Sequence, residues 1–599
     1  MARFTSGRRP WSHRLILFLT VLLLVAAGCS NDSSVFTTGP GGTTPGTVPG
    51  GTGTTGITGT TGGTTTPGDG SNPGGSAEAI PAGAQAYAGF DLTALPALMR
   101  LVTAFGSADP AAIGEGLDLG EGAGQAVEGL GEARDLLGCL GRGLGLDPAS
   151  LPAWLGDEAA VALFGMQVDE SGDFTDPNAL VAVAVADRPG AEAFLQQLIG
   201  VAEGCMSATF APVDYKGVTV YRADRPGEQP VAFALTQDYL LVGMGEGMVA
   251  RAIDLADGVS LAQDANFAEV VAALPNGRHV TGYMGMDLPQ QMLESLAGEL
   301  SGASPLPVPS GLDPAQALAG MRGFGMAATM LAEGVRVDLV ALGSLGDSLP
   351  AMEQAASPLP ARLPSDALGY LGIGPFDVAG AWDALKQLLA QMPAEPGQPN
   401  LEDSLTLIGT MLGIDIEQDL VRQLTGEVGL ALLPATQGSL AEQAGVNLGL
   451  LAVMGVKDPG AMANTAEKLA GGIGQLGGTP ATPRPYEGGT LYALSDGSTD
   501  IALFGMAGND MVITTHQSHA AALLAGGDKL AGSARYTAAI GGLLPGSLPL
   551  MYLDIAALVA ALDVEEDEAA AVAPLQTVAV GLAGAGEAGT ITVYARIDY

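Results

Sequence analysis

The sequence predicts an α+β protein built as two tandem, structurally similar lobes, each a largely antiparallel sheet with helices on one face. Three observations carry this. Landmarks in the first part of the body recur in order, at an offset of about 270 to 283 residues, as tandem duplication requires. Alternating apolar segments are joined by short turn-forming stretches, which implies adjacent antiparallel strands. Helix-like segments fall between these hairpins instead of after every strand, which separates α+β from α/β.

The elements follow in order. The first copy opens Ile80-Pro81-Ala82-Gly83-Ala84 and the second Leu363-Pro364-Ser365-Asp366-Ala367, each a turn leading into a strand. Leu144-Gly145-Leu146-Asp147 matches Leu412-Gly413-Ile414-Asp415, and Leu155-Gly156-Asp157-Glu158 matches Leu424-Thr425-Gly426-Glu427, both before an apolar strand. The apolar runs 180–186 and 448–456 are followed by Arg188-Pro189-Gly190-Ala191 and Asp458-Pro459-Gly460-Ala461, with proline where a helix starts. Segments 215–221 and 486–492 alternate as half-buried strands do. Segments 238–242 and 510–514 are further strands, 267–275 and 536–545 short helices, and hairpins over 326–342 and 577–597 close the copies. Many glycines in residues 114–145 weaken any helix there.

The chain before the body has a different character. Arg3, Arg8, Arg9 and Arg14 precede an apolar run over residues 15–27, too short for a span of about 20 residues. The run closes on Leu22-Leu23-Leu24-Val25-Ala26-Ala27-Gly28-Cys29. This resembles a bacterial lipobox, which implies cleavage after residue 28 and acylation of Cys29. Ser30, in place of an aspartate, resembles outer-membrane sorting if the cell has two membranes; otherwise the anchor lies on the outer face of the cytoplasmic membrane. Residues 36–76 are almost entirely Gly, Thr and Pro, a tether with a span of roughly 35 Å. The expected organisation is a lipoprotein signal peptide (1–28), a tether (29–77), a first lobe (78–345), a junction (346–361) and a second lobe (362–599).

Removing residues 1–28 takes the formal charge from −40 to −44. A polyanion of this kind is a poor partner for nucleic acid. Two cysteines remain besides Cys29, and in an exported protein Cys139 and Cys205 either form one disulfide or stay as two buried thiols.

Candidate chemistry is sparse. His516 and His519 are three apart, a one-face metal pair if helical, but no third ligand adjoins them and their segment has no histidine in the first copy. Val242-Gly243-Met244-Gly245-Glu246-Gly247-Met248 has the outline of a dinucleotide loop, yet its equivalent, Thr514-Thr515-His516-Gln517-Ser518, lacks glycine, which favours a tight turn. Asp169, Ser171, Gly172, Asp173 and Asp176 form an acidic turn without the spacing of a calcium loop. Asp563, Glu565, Glu566, Asp567 and Glu568 read as a solvated cluster. Glu158 and Glu427, at matching positions, read as carboxylates holding a neighbouring turn. No nucleophile elbow, P-loop or zinc-protease motif occurs, so neither catalytic residue, cofactor nor metal is expected.

The landmarks at 80–91, 154–164, 238–243 and 267–283 resemble a family of bacterial envelope proteins known only by a domain of unknown function. Its members open on a Pro-Ala/Ser-small-small-Ala-hydrophobic strand after an export signal or anchor. The resemblance covers most of residues 78–599 and implies an envelope location and a repeated lobe, with no catalytic residue to carry over. The expected function is a lipid-anchored, non-enzymatic binding or scaffold protein with an envelope protein as partner. The alternatives are a carrier or sensor of an apolar small molecule, drawing on twenty methionines, and a hydrolase using two converging carboxylates.

Overall fold

A computed structural model describes residues 74–98, 100, 152–167, 178–206, 208–223, 229–256, 258–291, 320–343, 355–390, 401–438, 440, 445–477, 481–495, 500–562, 564, 569–570, 572–585 and 588–598. Its first ten strands are β1 (Ala86–Asp91), β2 (Leu155–Phe164), β3 (Asn178–Val185), β4 (Ala211–Tyr215), β5 (Val218–Ala223), β6 (Val231–Leu235), β7 (Tyr239–Met244), β8 (Val280–Met284), β9 (Met321–Leu331) and β10 (Gly334–Gly343). The next ten are β11 (Gly369–Ile373), β12 (Leu424–Pro434), β13 (Leu448–Val456), β14 (Thr482–Tyr486), β15 (Gly489–Ser495), β16 (Asp500–Ala507), β17 (Asp510–Thr514), β18 (Leu548–Asp554), β19 (Leu575–Ala585) and β20 (Ala588–Ile597).

Among the described residues every strand pairing is antiparallel. The first ten run β4-β5-β6-β7-β3-β2-β1-β8-β9-β10, and the second ten run β14-β15-β16-β17-β13-β12-β11-β18-β19-β20. The two sets meet where β10 pairs with β20, giving one 20-stranded sheet in a mixed α+β protein. Short turns enforce this pattern. Lys216 and Gly217, between β4 and β5, both take positive φ, 50° and 81°, as a two-residue hairpin turn matched to strand twist requires.

The outer strands of this order, β4 (APVDY) and β14 (TPRPY), are exposed along most of their length. Pro212, Pro483 and Pro485 remove backbone donors there, which discourages further strand addition.

Nine α-helices are used below: α1 (Arg188–Met206), α2 (Met248–Ile253), α3 (Ala265–Ala273), α4 (Val378–Ala390), α5 (Leu401–Leu412), α6 (Pro459–Gly477), α7 (Gln517–Leu524), α8 (Ala534–Gly541) and α9 (Ile555–Leu562). Matched caps start matched helices. Asp187 and Asp458 accept from the backbone of Gly190 and Ala461 at the starts of α1 and α6, while Asp264 and Ser533 cap α3 and α8.

The expected placement of helices on one face is corrected. Ala182 and Leu241 belong to the core beneath α2 and α3, whereas their chain neighbours Val183, Leu240 and Val242 face α1. In the second ten strands Leu451 and Val453 lie beneath α7 and α8, and Met454 and Val456 face α6. The physical reason is in the runs 180–185 and 448–456: they are apolar at successive positions, so both sheet faces need cover.

Each core centres on an aromatic trio. Tyr87 and Tyr283 stand on either side of Phe267, each with a ring-centroid distance of 5.2 Å. Tyr536 occupies the same place between Tyr370, at 6.0 Å, and Tyr552, at 5.3 Å. The registers Tyr87↔Tyr283 and Tyr370↔Tyr552 make the correspondence explicit. The Tyr370 hydroxyl lies 3.4 Å from that of Tyr536, whereas the buried Tyr87 hydroxyl has no hydrogen-bond partner, since Phe267 offers none.

Candidate functional site

Glu158 and Glu427 both sit at irregularities in strand register, between Leu155 and Ala159 in β2 and between Leu424 and Val428 in β12. Such irregularities re-aim a side chain. The Glu158 carboxylate accepts from the Ser76 amide (2.9 Å) and hydroxyl (3.2 Å), in the turn before β1. Glu427 instead accepts from Arg362, in the segment before β11, and Arg362 also donates to Asp510 at 2.6 Å. Burial raises the Glu427 pKa against the pull of Arg362, and Asp510 raises it further. Both glutamates therefore tie the segment preceding a strand to the sheet.

His516 and His519 each engage a hydrogen-bond partner of their own. The His516 ring accepts from the Ser518 amide at the start of α7. His519 is 4% exposed, with its Nδ1 3.1 Å from the Thr514 hydroxyl, and burial lowers its pKa to about 4. Among the described residues no group of three or more His, Cys, Asp or Glu could hold a metal ion. Gly245 and Gly247 take φ of 99° and 70°, as a tight turn into α2 requires.

Cys205, near the end of α1, is disulfide-bonded; Cys139 lies outside the described residues, as do Cys29, Asp169, Ser171, Gly172, Asp173, Asp176, Asp563, Glu565, Glu566, Asp567 and Glu568.

At the junction of β10 with β20, Asp338 is fully buried. It accepts from Arg336 Nε at 2.9 Å and from the hydroxyl of Thr592, its cross-strand partner. Beside this junction lies a polar cleft of about 100 Å³, lined by Arg535, Asp554, Gln576, Thr577, Arg596 and Asp598. Strand register assembles it, because Asp554 lies opposite Thr577 and Thr577 opposite Arg596. Arg535, from α8, donates to Asp554 Oδ2 at 2.7 Å, and Asp554 Oδ1 accepts from the Ala557 amide of α9. Arg596 pairs with the exposed Glu333 at 3.2 Å. The Thr577 hydroxyl and Arg596 Nε are both buried without a hydrogen-bond partner. The sequence reading missed this cleft, since its residues form no linear motif.

The model of the family described as "Protein of unknown function (DUF3352)" matches residues 150–579. The chain belongs to this family. No curated protein matches it. Among solved structures, crystal form III of TP0453 is 9% identical, with 45% of this chain and 79% of that chain covered and a TM-score of 0.22. Crystal form IV is 11% identical, with 44% and 79% covered and a TM-score of 0.23. A likeness this weak carries no argument.

Proposed function

We propose that this protein is a lipid-anchored, exported cell-envelope protein with a non-enzymatic binding or scaffold role, its body a tandem duplication of one α+β lobe. The observation that supports the non-enzymatic reading is how its charged groups are used. Glu158 holds a turn, Glu427 and Asp510 share Arg362, and Asp338 is taken by Arg336 and Thr592. These carboxylates are committed to folding partners, which leaves them poorly placed for acid–base work. The matching pairing orders of the two ten-strand sets support duplication. Cys29, the acyl site expected from the lipobox, would hold the body to the membrane through the tether.

The test is fractionation of cells fed a clickable fatty acid. The full chain should label and sediment with membranes, and Cys29→Ala should lose the label and leave the membrane fraction. Persistence of Cys29→Ala in the membrane would refute the anchor. Cross-linking in intact cells, followed by native mass spectrometry, should then capture a stoichiometric envelope partner.

A second reading, carriage of an apolar molecule, is favoured by a cross-strand row on the α6 face of the sheet. Leu371 (49% exposed), Leu430 (40%) and Ile513 (43%) are aligned through Ala452, a contiguous row instead of scattered single side chains. Purified chain that neither retains lipid nor takes up a hydrophobic dye would count against it.

A further inference from the structure

We propose that the cleft between α8 and the β18–β20 strands binds a small oxyanion, a carboxylate or phosphate group. The proposal does not depend on the lipid anchor or on the scaffold reading. Its first support is a pair of unmet donors. Thr577, 1% exposed, and Arg596 are direct cross-strand partners, so their side chains leave the same sheet face about 5 Å apart. The Thr577 hydroxyl and Arg596 Nε nevertheless have no partner. Buried polar groups are costly when unsatisfied, and two neighbouring ones on residues that line one cavity mark where an acceptor belongs. An oxyanion presents two or three acceptors in a compact group and receives a guanidinium N–H as a charge-assisted bond.

The second support is the duplication. The registers Tyr283↔Gly325 and Gly325↔Val340 correspond to Tyr552↔Ala579 and Ala579↔Tyr594. Two residues along each strand, Asp554, Thr577 and Arg596 therefore correspond to Gly285, Gly323 and Leu342. Leu342 is buried in an apolar core. A fold that needs only glycine and leucine here in one copy carries a charged, hydroxyl-bearing cleft in the other, so the polar lining is not a requirement of the architecture.

The acids do not close the site to an anion. Both oxygens of Asp554 are occupied, one by Arg535 and one by the Ala557 amide; Glu333 engages Arg596 through Nη2 and not Nε, and both it and Asp598, at the end of β20, are exposed, where water screens them.

The experiment is isothermal titration of the full mature chain in detergent with sodium phosphate and, separately, sodium acetate, against a sodium chloride background. Saturable binding of either anion is expected, weakened about tenfold by Thr577→Val and by Arg596→Met, as loss of one charge-assisted bond predicts. Arg484→Met, which removes an exposed arginine paired with Asp500, should leave it unchanged. Phosphate without acetate would identify a phosphate-bearing ligand, and acetate without phosphate a carboxylate. Absence of saturable binding of both anions, or binding unchanged in Thr577→Val, overturns the proposal. Thr577→Val is nearly isosteric, so the test holds even if Arg596→Met fails to fold.

Discussion

Protonation of His519 should cost the protein stability in a defined pH window. The ring is 4% exposed and packs so closely on β13 that a Cβ at Gly449 would come within 2.0 Å of it. Burial, reinforced by His516 at a ring-centroid distance of 6.0 Å, holds its pKa at about 4 where 6.5 is ordinary. The unfolded chain therefore binds a proton that the folded chain refuses between about pH 6.5 and 4. Stability must fall as pH falls through that window and level off below it. With about 1.36 kcal/mol for each tenfold difference in proton affinity, the full effect is roughly 3 kcal/mol. Urea unfolding followed by circular dichroism, in the wild type and in His519→Leu at pH 7.5 and 4.5, isolates it. The stability difference between the two chains should shift by about 2–3 kcal/mol in favour of the variant at the lower pH. A difference that does not change with pH would refute the argument that the ring is held neutral.

Three further outcomes follow from the fold. Asp338→Ala leaves Arg336 beside an empty buried site and should destabilise by about 3–5 kcal/mol in thermal or urea unfolding; a loss below about 1 kcal/mol would show that the join of β10 and β20 does not depend on this pair. Phe267→Tyr supplies the unpartnered Tyr87 hydroxyl with the partner that Tyr536 gives Tyr370 and should add about 1 kcal/mol, unless unfolding midpoints show crowding instead. Replacing Pro483 and Pro485 together by threonine restores backbone donors to an outer strand, and light scattering should then show concentration-dependent association.

The antiparallel α+β character and the matching order of elements were legible because turn and cap residues recur as local signals. Ile80-Pro81 and Leu363-Pro364 both open on the isolated bridges that precede β1 and β11, and Asp187 and Asp458 both cap the following helix. The role of Glu158 and Glu427 was legible for the same reason, since a carboxylate at a matched place before an apolar strand implies a local tie. Which face the helices cover was not, because runs 180–185 and 448–456 offer apolar side chains to both. The cleft was hidden more thoroughly. Arg535, Asp554, Thr577 and Arg596 are spread over 62 residues, and only the registers of β18, β19 and β20 bring them together. The one available signal was comparison between the two ten-strand sets, where Thr577 and Arg596 stand at the positions of Gly323 and Leu342.

The join between the two ten-strand sets adds a constraint that neither set has alone. The registers relate each residue of β10 to one in β20 by an offset of 254, and the residue opposite Asp338 across the join is Thr592, its own equivalent. The pair therefore sits on the local two-fold axis relating the strands. Were position 592 an aspartate as well, two carboxylates would face each other in a fully buried site, and one would have to hold a proton to remain there. With threonine on one side, the same position becomes a hydroxyl donating to a carboxylate, while Arg336 supplies the balancing charge. Its own counterpart, Thr590, carries none. The charged residues Arg336 and Asp338 both fall on β10, and the hydroxyl-bearing Tyr594 and Thr592 stand opposite them on β20.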